Sequence, residues 1–176
     1  MILSILFLIA QLGFVVYLLY YIITFISGAP FVPSTKRATE AMIAMANIKK
    51  GMKIYDLGSG DGRVLFLAAK EGAIGIGYEL NPILVLYTMI RSFFSPHRNQ
   101  ITIRWKSLWN ANLKDADVVF VYLLPISLDK LQKKLLTELK PGTRIVSNSF
   151  IFKNWPIEKQ DKVNHIFVFS IPKRVQ

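Results

Sequence analysis

An α/β fold, with a mostly parallel sheet covered by helices on both faces and one membrane-spanning helix ahead of it, is predicted by three observations. The first 27 residues are apolar nearly throughout. Beyond residue 35, short β-branched runs alternate with stretches of helical periodicity, and that alternation marks βαβ units. After the first such strand, Gly58, Gly60 and Gly62 stand at every second position, where a parallel sheet opens its ligand crevice. The 176 residues suit one domain of ordinary size. The chain has no cysteine, which excludes disulfides, Cys-ligated zinc and thiol nucleophiles. Its formal net charge is +11, and residues 1–35 contain no charged side chain, so the excess falls on the rest.

The elements follow in order. Residues 1–27 are long enough to cross a bilayer core, which takes about 20 apolar residues. No Lys or Arg precedes the run, as a signal peptide requires, and the stretch is apolar all round, unlike a soluble core helix. It is therefore read as a transmembrane anchor. Lys36 and Arg37 are the first charges after it, so the positive-inside rule puts the N-terminus outside and the remainder on the cytoplasmic or organelle-matrix face. Residues 28–35, with two prolines and a glycine, form a linker, and 36–176 form the soluble domain. Residues 36–48 predict an amphipathic helix with Ala38, Met42, Met45 and Ile48 on one face and Thr39 and Glu40 turned away. "MKIYDLG" predicts a buried strand, "DGRVLFLAAKEG" a helix closed by Gly72, and "AIGIGYEL" a second strand. Asn81 caps the next helix, with Pro82 at its first position. "QITIRWKS" and "ADVVFVYLLP" are the third and fourth strands, and "SLDKLQKKLLTEL" is a helix stopped by Pro141 and Gly142. "TRIVSNSF" is the fifth strand, and "NHIFVFSI" the last, paired with a short one within 158–163.

The glycine loop lets the backbone turn sharply and approach a ligand without Cβ interference. It is not the dinucleotide fingerprint, whose third glycine would fall at Arg63, nor a phosphate loop. By itself it also fits a plain tight turn. Glu79 ends the second strand 21 residues after Gly58, the distance at which nucleotide folds place an acid on ribose hydroxyls. Alone, it also fits a solvated strand-end acid; loop and acid together favour a nucleoside cofactor.

In this order, "DLGSGDGR" and "GYELNP" resemble the class I S-adenosylmethionine-dependent methyltransferases, with their Rossmann-like sheet. The resemblance is closest to small membrane-anchored protein-lysine methyltransferases, which in mitochondria act on the ADP/ATP carrier and the ATP synthase c-subunit and have prokaryotic relatives. "PFVPS", "SLWN", "LLP", "KLLTELKPGTRIVS" and "FIFKNWP" extend it over most of the chain. It implies S-adenosyl-L-methionine as cofactor, with Asp56, Gly58 and Gly60 at its methionine end, Glu79 at the ribose, and Ser59 and Asn81 also among the cofactor-binding residues. It also implies that Ser107 and Leu108 lie at the adenine. Before "LW" the family usually carries an aspartate on the adenine amino group; here Ser107 offers a hydroxyl oxygen, a weaker acceptor than an ionised acid. "FIFKNWP" departs from the family at Lys153 and Asn154.

Methyl transfer from a sulfonium is an in-line displacement that relieves the positive charge on sulfur, so it needs no metal and no covalent intermediate. Positioning carries most of it. A lysine substrate must lose a proton first, since its free pKa lies near 10.4. Asp61 beside the loop and Tyr122 on the fourth strand are candidates for the amine channel; a capping aspartate and a packed aromatic are the alternative readings. Trp155 either covers the substrate's path or belongs to the core. His97 and His165 stand apart and suggest no metal site. The expected partners are a protein presenting a lysine and a bilayer with anionic headgroups. Nucleic acid suits the charge, but the chain lacks both the cysteine of cytosine C5 chemistry and the Asn/Asp-Pro-Pro-aromatic turn of amino-directed base chemistry. A lipid or small-molecule methyltransferase and a silent membrane adaptor are the remaining readings.

Overall fold

The computed structural model describes residues 2–26 and 32–172; residues 27–31, within which half of the expected linker falls, lie outside the described residues, as do 1 and 173–176. Helix α1 (Ile2–Ile26) is followed by α2 (Lys36–Ala46), β1 (Lys53–Leu57), α3 (Arg63–Lys70), β2 (Ile74–Glu79) and α4 (Pro82–Phe93). Then come β3 (Ile101–Trp105), β4 (Val118–Val121), α5 (Pro125–Glu138), β5 (Arg144–Asn148), β6 (Lys159–Asp161) and β7 (Ile166–Ser170). The strands form one sheet in the order β3-β2-β1-β4-β5-β7-β6, parallel from β3 to β5 and antiparallel at β7 and β6. Every strand expected from the sequence is present.

Alternate strand residues feed two cores. Tyr55, Leu57, Tyr78, Val119, Val121 and Ile145 pack on one face under Leu128, Leu131 and Leu135 of α5, while Ile54, Val118, Phe120, Val146 and Val168 pack on the other under α2 and α3. The central strands β1, β2, β4 and β5 are thus buried on both faces, as a parallel sheet demands, while the edge strands β3 and β6 are largely exposed. On the α5 face, Phe152, Trp155 and Phe169 form an aromatic cluster with centroids 5.2–5.8 Å apart. Trp155 is therefore core, and its Nε1 donates to the Ser170 carbonyl at 3.0 Å.

Two local expectations change. Thr39 faces inward, not outward: it is buried, and its hydroxyl donates to the Thr35 carbonyl at 2.9 Å, so no polar group is left unpaired. Ala46 joins Ala38 and Met42 on the buried face, with Met45 and Ile48 only half-buried beside them. Helix α5 starts at Pro125, earlier than expected, because proline's fixed φ suits the first helical position.

β1 lies between β2 and β4, so the connection leaving β1 turns to one side and the chain returns on the other. The crevice of such a sheet opens at that point, beyond the carboxyl ends of β1 and β4. Gly58 follows β1 directly. Helix α1 is long and apolar enough to cross a membrane, and none of the span Ile2–Leu19 is buried within the protein.

Candidate active site

The loop from Gly58 to Gly62 takes its shape from glycine. Gly58, Gly60 and Gly62 have φ of 90°, 55° and 76°, the left-handed region that side chains with a Cβ avoid. The backbone N–H groups of Gly58 and Ser59 donate to the Tyr78 carbonyl at 2.9 and 3.0 Å, which folds the loop over the end of β2. Glu79 fastens it there. Its Oε2 accepts from Gly60 N at 2.8 Å, and its Oε1 accepts from Leu80 N and Asn81 N, each at 2.8 Å.

Gly77 makes the close approach possible. A Cβ there would lie 2.6 Å from Ser59 Oγ and 2.7 Å from Leu65 Cδ1. The signal is legible as "GIG" inside a strand, which marks close approach of another backbone. Gly77→Ala is expected to push the loop off β2, lowering stability by about 1–3 kcal/mol, as overpacking does, and weakening cofactor binding with it. Thermal unfolding and a binding titration measure both; no change in either would mean the loop has room to spare.

Asp56, Gly58, Ser59, Gly60, Asp61, Glu79 and Tyr122 line one cavity, together with Arg63, Met42 and the segment Val32, Pro33 and Ser34. That segment is held against the cavity by Ser34, whose carbonyl accepts from Arg63 Nη1 and whose Oγ accepts from Asn148 Nδ2 at 2.9 Å. Sequence reasoning misses Arg63, Ser34 and Asn148, because only the fold brings them together. Tyr122 is half-buried and stacks on Phe150 with centroids 6.3 Å apart. Asn81, Ser107 and Leu108 do not line this cavity. Asn81 Oδ1 caps α4, accepting from Ile83 N at 2.9 Å and Leu84 N at 3.2 Å. Ser107 and Leu108 follow β3, on the same edge of the sheet as Glu79, and Ser107 Oγ faces Trp109 N at 3.4 Å. A larger cavity of about 790 Å³ lies between α2, α3 and the end of α4, lacking the glycine backbone.

The electrostatics are unusual for so basic a chain. Three carboxylates, Asp56, Asp61 and Glu79, share the cavity. Asp61 is answered by Arg63, whose Nη2 lies 2.7 Å from Oδ2; that hydrogen bond holds the carboxyl below its ordinary value. Asp56 has no hydrogen-bond partner among the described residues. Burial, then the charges of Glu79 and Asp61, push its pKa up to about 8. Ser59 Oγ is buried and equally without a partner. Unpaired buried polar groups of this kind cost stability unless a ligand answers them.

The profile of the ANTKMT methyltransferase domain matches residues 56–159, from the end of β1 to β6. The chain belongs to the ANTKMT methyltransferase family. Among its relatives, the lysine N-methyltransferase of the ATP synthase c-subunit from Mus musculus is 36% identical over 126 residues, 72% of this chain and 51% of the relative. The protein-lysine N-methyltransferase of Saccharolobus islandicus (strain REY15A) is 29% identical over 142 residues, 80% of this chain and 88% of that one. The crystal structure of an RNA methyltransferase from Salinibacter ruber, in complex with S-adenosyl-L-homocysteine, superposes with a TM-score of 0.77. It is 31% identical and covers 82% of this chain and 97% of its own. This chain spans about half the length of the mouse relative.

The cofactor of this methyltransferase family is S-adenosyl-L-methionine, and the chemistry of the cavity lining suits its cationic end. That molecule carries a sulfonium and an α-ammonium, and the pocket offers the buried carboxyl of Asp56, which becomes the matching anion once its proton is lost, and an unpartnered hydroxyl at Ser59. Ser107→Asp tests the adenine assignment. The variant is expected to bind the cofactor at least as tightly, by up to about 1 kcal/mol, because an ionised acceptor makes the stronger hydrogen bond. Calorimetric titration reads it, and a large loss with the fold intact would place the adenine elsewhere.

Proposed function

We propose that the protein is a membrane-anchored protein-lysine N-methyltransferase acting on a membrane or membrane-adjacent protein. The observation that carries the reading is the anionic, partly unpaired pocket at the sheet's switch point in a chain of net charge +11. It suits a cationic cofactor and then a cationic side chain. The lysine assignment draws support from the relatives named as lysine N-methyltransferases in Mus musculus and Saccharolobus islandicus.

Asp56, Gly58, Ser59 and Gly60 hold the methionine end of the cofactor. Glu79 takes the ribose with its remaining lone pairs, and Asn81, Ser107 and Leu108 flank the adenosine along the carboxyl edge of β2 and β3. When bound, S-adenosylmethionine supplies the electrophilic methyl group. The protein's task is to admit the amine unprotonated and in line. Asp61 is kept ionised by Arg63. It therefore suits attracting the incoming ammonium better than accepting its proton, which passes to water. Tyr122, at the cavity beside Phe150, lines the amine's path.

In this reading α1 is a single-pass anchor with its N-terminus outside, residues 28–35 are its linker, and residues 36–176 are the catalytic domain on the cytoplasmic or matrix side. Lys and Arg side chains facing an anionic leaflet contribute about 1 kcal/mol each near its surface. A second reading, a nucleic-acid methyltransferase, is favoured by the same net charge and by the name of the Salinibacter ruber structure. The deciding experiment incubates the full-length protein with methyl-labelled cofactor and membranes, then separates protein, lipid and RNA. Label is expected in protein, as methyl-lysine on digestion. Label in RNA or lipid alone would overturn the proposal.

A further inference from the structure

Helix α4 is built inside out. Its polar residues Thr88 and Ser92 turn toward the protein: Thr88 is fully buried with its Oγ1 donating to the Gly60 carbonyl at 3.3 Å, and Ser92 is half-buried. Its large apolar residues turn out. Ile83, Leu86, Tyr87, Ile90, Phe93 and Phe94 are all exposed, Ile83 by 72% and Phe94 by 79%. A contiguous apolar face of this kind on one helix marks a contact surface.

Charge and connectivity say what covers it. From Leu80 to Lys114 the chain has no acidic residue and five basic ones, among them Arg91 on α4 and Arg98, Arg104 and Lys106 after it, all exposed. Trp105 beside them is 66% exposed, with its Nε1 donating to the Leu80 carbonyl at 3.0 Å. Apolar surface, exposed tryptophan and basic rim together match a bilayer interface with anionic headgroups. The helix also sits near the emerging chain. Arg91 Nη1 donates to the Asp61 carbonyl at 3.4 Å, and Arg63, paired with the Asp61 carboxylate, donates to the Ser34 carbonyl. The steps from Ile26 to Val32 span at most about 21 Å. A membrane holding α1 is thus within reach of α4.

We infer that α4 is a second membrane contact, lying in the bilayer interface with its Ile83–Phe94 face in the headgroup and acyl boundary and its basic neighbours on anionic headgroups. The inference rests on the anchoring part of the proposed function and not on the methyl acceptor. Two contacts define the domain's orientation to the membrane, where a single contact at α1 sets only its distance. Because α4 follows Glu79 and packs on the glycine loop through Thr88, that orientation holds the cofactor cleft at a set angle to the membrane surface.

The chain has no cysteine, so one introduced thiol reports from one place. Full-length protein carrying Ile90→Cys or Phe93→Cys, labelled with an environment-sensitive fluorophore, is reconstituted into vesicles of phosphatidylcholine and phosphatidylglycerol. Lys162→Cys, exposed after β6 at the opposite edge of the sheet from β3, is the control. Quenching by lipid-borne nitroxide is expected to be severalfold stronger at 90 and 93 than at 162, with the reverse order for aqueous iodide. Equal iodide access at 90 and 162, in protein that floats with the vesicles, would overturn the contact and leave the anchor standing. Protein that fails to float would overturn both. A label at 90 hidden from both quenchers would show α4 covered by protein, either α1 or a second copy, and would equally overturn the inference.

Discussion

Glu79→Ala is expected to weaken S-adenosylmethionine binding roughly 5- to 150-fold, the equivalent of about 1–3 kcal/mol for hydrogen-bonding groups left without a buried partner. The structure adds a second cost. Three backbone N–H groups, those of Gly60, Leu80 and Asn81, point at this one carboxylate, so alanine removes the side-chain tie at Gly60 and leaves the loop held to β2 by the bonds from Gly58 and Ser59 to the Tyr78 carbonyl. Gly60 N is the buried one, and its loss of an acceptor is expected to lower stability by about 1–3 kcal/mol. Calorimetric titration and thermal unfolding of the same variant separate the two effects. Lower stability with unchanged affinity would make Glu79 a loop fastener only, and would take the ribose out of its reach.

The strands are legible because each is a short apolar run bounded by glycine, proline or a cap; their order in the sheet is not, and comes only from the fold. The glycine loop is legible from spacing alone, since side chains bearing a Cβ avoid three positive φ values in five residues. Thr39 defeats the helical wheel because the wheel sorts residues by polarity, while a threonine inside a helix satisfies its own hydroxyl on the preceding turn. What the sequence does not disclose is long-range. Ser34 meets Asn148 across 114 positions, and Arg63 reaches back to Ser34, so the contacts that hold this wall of the cavity exist only in the fold. By sequence, α4 is an ordinary helix beginning after Asn81. Periodicity shows that a helix has faces, but not which of them the sheet takes.

The same limit applies to Asp56, whose place in the motif is readable while its ionisation is not. On β1 it pairs in register with Gly77 of β2 and Phe120 of β4, at the centre of the sheet, and its carboxyl is buried. Burial first, then Glu79 and Asp61, raise its pKa from 3.8 to about 8. In the unfolded chain the group ionises near its ordinary value, so between about pH 4 and 8 the folded state binds the extra proton. Asp56's contribution to stability is therefore full below about pH 4 and is lost as pH rises through about 8. Cofactor binding runs the other way. A cationic ligand beside Asp56 needs the carboxylate, so binding below about pH 8 must first expel the proton, and affinity is expected to fall by up to about tenfold per unit of acidification. Above that pH it should level off. Asp56→Asn is expected to bind on the order of 10- to 100-fold more weakly, the loss of a charged hydrogen bond, with this pH dependence abolished. The variant should also unfold at a higher temperature than the parent at about pH 9, where the parent holds an unpaired buried charge and the amide holds none. Titrations in buffers of different ionisation enthalpy count the released proton directly. Affinity that is flat from about pH 6 to 9, with no proton released, would mean that the cation of the cofactor lies away from Asp56.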